Sequence, residues 1–171
     1  PVIVSATCNA QAQQGTMLDP TKPGISLNQA TGEWMIAATC LDTVVKIYYY
    51  NPIDCYTISA DGSNFRMSDT SGLPFPIKSA TTSCINGETK LISLNLHYPL
   101  NVNGTYKLYY KVSNDSTTIG TTCGYYAEEF DSIAVNVTGC SGVGLEEPKE
   151  LSKLILWPNP TTGLVWFSAY G

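Results

Sequence analysis

The chain has 171 residues, which is enough for one well-cored domain with an appended segment and too few for two full domains. Only 13% of the residues are charged and the formal net charge is -5, which argues against binding to nucleic acid or to an anionic membrane. The sequence contains no apolar run near the ~20 residues that cross a bilayer, and no charged start followed by an apolar stretch. We expect Pro1 to begin a mature protein or a fragment.

The cysteines indicate an oxidising compartment. Their number is even, they are spread widely, and they form neither a Cys-x-x-Cys pair nor a His-Cys cluster suited to zinc. This pattern favours disulfides over free thiols and predicts an extracellular or cell-surface protein. The six residues are Cys8, Cys40, Cys55, Cys84, Cys123 and Cys140.

The first part of the chain predicts short strands separated by long polar connections. A brief strand at Val2–Val4 precedes a loop over residues 9–32, which is rich in Gly and Pro. One short strand is predicted inside this loop at residues 25–28, and a further strand follows at residues 34–39. We interpret the loop as an elaboration on a scaffold, because a strand follows it directly.

A long strand is predicted over residues 44–50, where inward-facing and outward-facing residues alternate with a period of two. Asn51-Pro52 is predicted to end it, because proline cannot donate to a ladder hydrogen bond. Residues 55–58 are predicted as a short strand and residues 61–64 as a turn. The predicted inward residues of this region are Val45, Ile47, Tyr49, Phe65 and Met67.

The most regular part of the chain is residues 89–112, a strand, a turn containing Asn103-Gly104, and a second strand. An edge strand is predicted before it at residues 77–83, and a closing strand after it at residues 133–138. No window shows a sustained helical period, so the predicted class is all-β. The predicted inward rows are Ile92, Leu94 and Leu96; Tyr106, Leu108, Tyr110 and Val112; and Ile133, Val135 and Val137.

The order of these elements resembles the bacterial Ig-like domains of large surface and secreted proteins. The similarity is carried by IYYYNPIDCYTISADGSNFRMSD, by IKSATTSCINGETKLISLNLHYPLNVNGTYKLYYKV and by CGYYAEEFDSIAVNV. It implies an immunoglobulin-like antiparallel β-sandwich over residues 1–140, in which residues 89–112 are the passage from strand E to strand F. The long loop before Trp34 departs from the family pattern.

The last part of the chain resembles something else. Residues 141–153 have the composition of a linker, and residues 154–171, LILWPNPTTGLVWFSAYG, resemble the start of the C-terminal sorting domain of type IX secretion substrates. The resemblance rests on Pro158, Asn159 and Pro160, followed by Gly163. It implies a short C-terminal β tail and the type IX secretion machinery as a partner. Such sorting domains normally continue for several strands, so the sequence as it stands is not expected to be sorting-competent. We expect the apolar tail to dock by strand addition outside the main core.

The Ig-like topology groups the cysteines at the two ends of the sandwich. Cys8 with Cys40 and Cys55 with Cys84 are the predicted pairs. Cys123 and Cys140 then either meet through the long F-G loop or stay apart. The predicted groups are Cys55, Cys84 and Cys123 at one end, and Cys8, Cys40 and Cys140 at the other.

Catalytic chemistry has little support in the sequence. His97 is the single histidine, predicted to face solvent on a strand, and no serine and carboxylate are placed beside it. Paired carboxylates occur at Glu128-Glu129 with Asp131, and at Glu146-Glu147, but sandwich loops with adjacent glutamates are usually only solvated. The prediction is a protein without enzymatic activity and without a cofactor.

Two kinds of ligand remain open at this level. Asp61 and Asn64 offer oxygen ligands for calcium, with a plain turn as the alternative. Tyr125 and Tyr126 are candidate ligand contacts for sugar rings. The tyrosines of the strand at residues 44–50 and those of strand F are predicted to lie in opposite sheets, so they cannot form one flat stripe.

Three tripeptides resemble the Asp-Ser/Thr-apolar O-glycosylation sites of bacteria that have type IX secretion. The acceptors they imply are Thr43, Ser116 and Ser132. The function predicted overall is a non-enzymatic extracellular Ig-like module of a type IX secreted or cell-surface protein, acting as adhesin, spacer or assembly subunit with protein partners or by self-assembly. The alternative is a carbohydrate-binding module attached to a secreted hydrolase.

Overall fold

The structure is a computed structural model and describes residues 18–129 and 131–140. The chain divides into two units, Pro1–Cys140 and Ser141–Gly171, and only the first contains described residues. The predicted strand at Val2–Val4, the linker and the C-terminal tail lie outside those residues. In the described part, no helix is long and apolar enough to span a membrane. The strands are β1 Ile25–Leu27, β2 Trp34–Thr39, β3 Val44–Asp54, β4 Phe65–Ser68, β5 Pro74–Phe75, β6 Ile77–Thr82, β7 Glu88–Leu96, β8 Gly104–Tyr110 and β9 Ser132–Thr138.

Two sheets face each other. One has six strands in the order β1-β2-β9-β8-β4-β5, and the other has three in the order β3-β7-β6. Neighbouring strands are antiparallel except β2 and β9, which run parallel over six residue pairs from Trp34–Ile133 to Thr39–Thr138. This confirms the predicted fold class, an immunoglobulin-like β-sandwich with disulfides.

The core lies between the sheets and is built from alternate residues of the strands. The period of two predicts these rows correctly, because successive side chains of a strand point to opposite faces. In the centre, the Tyr110 hydroxyl donates a hydrogen bond to the Tyr49 hydroxyl over 3.2 Å and so links the two sheets. Burial raises the pKa of both tyrosines. The buried strand residues include Val45, Ile47, Tyr49, Ile92, Leu94, Leu96, Tyr106, Leu108, Tyr110, Ile133, Val135 and Val137, together with Phe65 and Met67.

Three predictions are wrong, and they concern β3, the residues that follow it, and β8. Asn51-Pro52 does not end β3, because the pairing with β7 shifts register between Tyr48 and Ile53, and Pro52 lies in that irregular stretch. The Pro52 carbonyl accepts a hydrogen bond from the Thr122 N–H over 3.0 Å. Residues Cys55–Thr57 form a 3-10 turn instead of a strand, capped by the Asp54 carboxylate, which accepts from the Tyr56 N–H. Val112 is 46% exposed because β8 ends at Tyr110.

The described part of the predicted loop over residues 9–32 belongs to the sandwich. Leu18 is fully buried and bridges to Tyr49, and the Asp19 N–H donates to the Tyr48 carbonyl over 2.9 Å. The short strand predicted at residues 25–28 is confirmed as β1, with Ile25 buried opposite Ile36 of β2. This stretch therefore covers one edge of β3 and extends the larger sheet.

The disulfides confirm one predicted pair and correct the other. Cys55 is bonded to Cys84 as predicted, with a Cα–Cα distance of 6.3 Å. Cys40 is bonded to Cys140, not to Cys8, and their Cα atoms are 4.9 Å apart. The physical reason is the parallel pairing of β2 with β9, which brings the ends of the two strands to the same place. The same bond rules out a Cys123–Cys140 pair, and Cys123 is itself disulfide-bonded.

Candidate functional site at the loop pole

Three loops meet at one end of the sandwich. We call this region the loop pole and define it as residues 55–64, 84–88 and 113–127. The Asp54 N–H donates to the Gly120 carbonyl over 2.9 Å, and the Gly120 N–H donates to the Thr57 hydroxyl over 3.0 Å. The Cys55–Cys84 disulfide fastens a third loop to the first. The loop pole is thus held by backbone bonds and by one covalent cross-link.

A buried asparagine joins the first and last of these loops. Asn64 is fully buried, although its sequence context predicts an exposed turn. Its side-chain oxygen accepts from the Ser59 N–H over 2.6 Å, and its side-chain nitrogen donates to the Thr117 carbonyl over 3.1 Å. These bonds compensate the cost of burying the amide, because a buried polar group without partners is strongly unfavourable.

The Asp115 carboxylate is the common acceptor for three hydroxyl groups near this asparagine. Its carboxylate accepts hydrogen bonds from the hydroxyls of Ser113, Ser59 and Thr117, the last two over 2.8 Å. Hydrogen bonds to a carboxylate stabilise its charged form. They therefore hold the pKa of Asp115 well below its usual range, with the Ser113 hydroxyl as the largest cause.

The lowered pKa predicts how acid acts on this loop. A carboxyl group whose pKa is lower in the folded state stabilises the protein above its unfolded pKa of about 3.9, and this stabilisation is lost as the pH falls further towards the folded pKa. We expect the urea midpoint of the native chain to fall between about pH 4.5 and pH 2. Asp115→Asn should lower the urea midpoint at pH 7, and its midpoint should change less than that of the native chain between about pH 4.5 and pH 2. Glu129→Gln, at an exposed position, should have neither effect. Parallel profiles for the native chain and Asp115→Asn would contradict the prediction.

The structure places the two calcium candidates in separate hydrogen-bond networks. The Asp61 carboxylate accepts from the Ser63 N–H over 2.8 Å and from the Asn114 side chain over 3.1 Å. The hydrogen bond from the Ser63 side chain is the largest cause of the lowered pKa of Asp61, and the bond from the Ser63 N–H is the second. Asn64 is engaged with Ser59 and Thr117. Among the described residues, no group of three or more His, Cys, Asp or Glu side chains is placed to hold a metal ion. Calcium binding at Asp61 and Asn64 stays a prediction, with a plain turn as the alternative.

Three exposed tyrosines lie on the loop pole. Tyr56 is 86% exposed and Tyr126 is 63% exposed, with Tyr125 next to it at 38%. The Tyr126 ring rests against Gly120, where an added Cβ would lie 2.7 Å from the ring. The ring can take this position because Gly120 has no side chain. Tyr56 was not among the predicted contacts, because the residues around it were predicted to form a strand.

The tyrosines of the sheets do not extend this surface. Tyr48 and Tyr50 belong to β3, whereas Tyr109 belongs to β8 in the other sheet. The prediction that they cannot form one stripe is confirmed. On its own sheet, Tyr109 carries the Arg66 guanidinium 5.3 Å above its ring centroid.

The three implied glycosylation acceptors differ in accessibility. Thr43 and Ser116 are exposed, and Ser116 has a positive φ of 65° at a turn. Ser132 is half-buried, and its hydroxyl donates to the Glu33 carboxylate over 3.2 Å. That carboxylate also forms an ion pair with Lys107. An attached sugar would therefore meet open surface at Thr43 and Ser116 and would disturb existing bonds at Ser132.

The remaining candidate residues are dispersed or lie outside the described ranges. His97 is exposed after the end of β7, beside Tyr98 with a ring distance of 6.3 Å. Glu128, Glu129 and Asp131 are exposed in the loop before β9. The sorting motif at residues 158–163 and the glutamate pair at residues 146–147 lie outside the described residues.

Comparisons with known proteins show limited similarity. No family model matches the chain, and no curated protein matches it. One similar solved structure is the crystal structure of the S-layer protein rSbsC(31-844), with 18% identity over 57% of this chain and 12% of that chain and a TM-score of 0.43. Another is the N-terminal part of the bacterial S-layer protein SbsC, with 19% identity over 58% of this chain and 22% of that chain and a TM-score of 0.44. The chain thus spans less than a quarter of each of these proteins, and its function has to be inferred from its own residues.

Proposed function

We propose that this chain is a non-enzymatic extracellular Ig-like module of a type IX secreted or cell-surface protein. It serves as an adhesin, a spacer or an assembly subunit. The observation that carries the proposal is the pair of described disulfides, Cys40–Cys140 and Cys55–Cys84, which cross-link the two ends of a small β-sandwich. Disulfides of this kind persist in oxidising compartments and stabilise small secreted domains.

The secretion route and the partners are proposed from the sequence. The Pro158-Asn159-Pro160 motif and Gly163 support a type IX substrate, with the secretion machinery as a partner of residues 154–171. Protein partners or self-assembly fit a module of this kind. Sugars attached at the open positions Thr43 and Ser116 fit the same class of exported proteins.

A second candidate function is a carbohydrate-binding module of a secreted hydrolase. The observation that favours it is the exposure of Tyr56 and Tyr126 at the loop pole, with the Tyr126 ring seated on Gly120. An exposed aromatic face stacks on the apolar face of a sugar ring, and a ring already held in place loses little entropy when it binds.

The two candidates are separated by a glycan array together with a test of location. We expect an antibody raised against the purified protein to label intact cells of the native organism, and we expect no saturable binding to soluble glycans. Signal only after cell lysis would overturn the extracellular proposal. Saturable binding that Tyr126→Ala removes and Tyr98→Ala retains would replace the first candidate by the second. Tyr98 is a matched control because it is 62% exposed and lies beyond the other end of β7.

A further inference from the structure

The turn between β2 and β3 carries an exposed leucine in an unusual backbone conformation. Leu41 has a positive φ of 71°, a region that glycine and asparagine enter readily and that a bulky residue rarely adopts. Its side chain is 71% exposed and so lies outside the core. Neither the geometry of the turn nor the packing of the sandwich accounts for a leucine at this position. Backbone outliers of this kind cluster at functional sites.

Hydrogen bonds hold this turn in place. The Leu41 N–H donates to the Leu100 carbonyl over 2.7 Å, and the Leu100 N–H donates to the Asp42 carbonyl over 3.0 Å. Oδ2 of Asp42 accepts from the N–H and from the hydroxyl of Thr39, over 2.7 and 2.9 Å. Oδ1 of Asp42 accepts no hydrogen bond from the described residues. The turn thus presents an apolar side chain next to a carboxylate oxygen that is open to a partner.

A cleft of about 320 Å³ opens elsewhere on the surface, between the β4–β5 edge of the larger sheet and the start of β6. Its volume lies at the lower end of the range for ligand pockets. The cleft is preformed, because the Phe75 ring packs edge-on against the buried Tyr106 ring with the centroids 5.3 Å apart. Its apolar lining consists of Phe65, Met67, Phe75 and Ile77, together with the exposed Pro74 and Pro76.

The charges beside the cleft suit an incoming carboxylate. Arg66 borders the cleft and is exposed, with its guanidinium 5.3 Å from the centroid of the Tyr109 ring. In the described part of the chain, no carboxylate forms an ion pair with Arg66. Asp61 also borders the cleft, where Ser63 and Asn114 donate hydrogen bonds to its carboxylate. A carboxylate that enters is therefore attracted by Arg66 and repelled by Asp61, which orients the bound group.

We propose that the Leu41 turn of one copy docks in this cleft on a second copy, with the leucine side chain against the apolar lining and the Asp42 carboxylate against Arg66. The inference deepens the proposed assembly role and rests on it. An apolar side chain meets an apolar lining, a negative charge meets a positive one, and no residue belongs to both surfaces. The contact is therefore heterologous, so each bound copy leaves one turn and one cleft free for the next copy. A row of copies extends in this way through a single kind of contact.

Small-angle X-ray scattering of the full chain over a range of concentrations tests this proposal. We expect the mean mass of the native chain to grow beyond that of a dimer as its concentration rises towards about 1 mM, the weak end of specific affinity. Leu41→Asn and Arg66→Glu should each raise the dissociation constant by about tenfold or more. Asparagine tolerates a positive φ and Arg66 is exposed, so both variants should fold, which their urea midpoints check.

Matched controls and a mixture of the two variants complete the test. Ile85→Asn, at a position that is also 71% exposed, and Lys90→Glu, at another exposed cation, should associate like the native chain. The Leu41→Asn chain keeps its cleft and the Arg66→Glu chain keeps its turn, so an equal mixture should form dimers that grow no further. A monomeric native chain, a mixture that stays monomeric, or association that both variants retain would each overturn the proposal. None of these results changes the labelling of intact cells, so the two proposals can fail separately.

Discussion

Replacing both Cys40 and Cys140 with serine is expected to lower the free energy of unfolding by about 4 to 5 kcal/mol. The bond closes a loop of 100 residues, and a long loop loses much conformational entropy in the unfolded chain when it is closed. The folded state keeps the β2–β9 ladder and the Asn103 bonds to Cys140 after the substitution. The effect therefore arises mainly in the unfolded ensemble. Urea unfolding followed by tryptophan fluorescence measures it.

The matched control for this prediction is the other described disulfide. Cys55→Ser with Cys84→Ser opens a loop of only 29 residues, for which the same relation gives about 3.5 kcal/mol. The long-loop variant should therefore be the less stable of the two. A larger loss for the Cys55–Cys84 variant would show that strain or residual structure, not loop length, decides the contribution of these bonds.

Leu18→Ala is expected to cost about 2 to 5 kcal/mol, the range for removing a fully buried leucine side chain. Leu18 is 0% exposed and lies against β3 through its bridge to Tyr49. The substitution leaves a cavity at this edge of the core, because the backbone there is held by the Asp19 N–H bond to Tyr48. Urea unfolding of the purified variant measures the loss.

Leu41→Ala is the control, since it makes the same chemical change at a position that is 71% exposed. Surface substitutions usually change stability by less than about 0.5 kcal/mol. Equal small effects for both variants would mean that the stretch around Leu18 is not an integral part of the sandwich. A large effect only for Leu18→Ala would show that the core extends into the residues predicted as a loop.

Local sequence pattern was sufficient for the class of fold and for the central strands. The alternation in residues 89–112 predicts β7 and β8 and their inward rows because side-chain direction in a strand depends only on the period of two. Val112 is the exception: the alternation predicts it to be buried, but β8 ends at Tyr110, and the pattern alone does not show where a strand ends. The same applies to Pro52, which the sequence suggests as a strand end and which the register shift accommodates.

The candidate site was less accessible to sequence reasoning than the fold. Tyr125 and Tyr126 could be named from their loop, but Tyr56 was missed because Cys55–Thr57 forms a 3-10 turn where a strand was predicted. The Asp115 network assembles residues from two loops that are more than 50 positions apart, such as Ser59 with Asp115. Short-range patterns carry no information on such pairs.

What the sequence by itself determined is the all-β class, the inward rows and the short strand β1, whereas the Cys55–Cys84 pair was predicted only through the resemblance to Ig-like domains. Only the tertiary structure decided the partner of Cys40 and the burial of Leu18. The physical reason is the same in both cases. Strand pairing between segments far apart in the chain, β2 with β9 and Leu18 with Tyr49, depends on the packing of the whole sandwich. Each local segment alone is compatible with several such pairings.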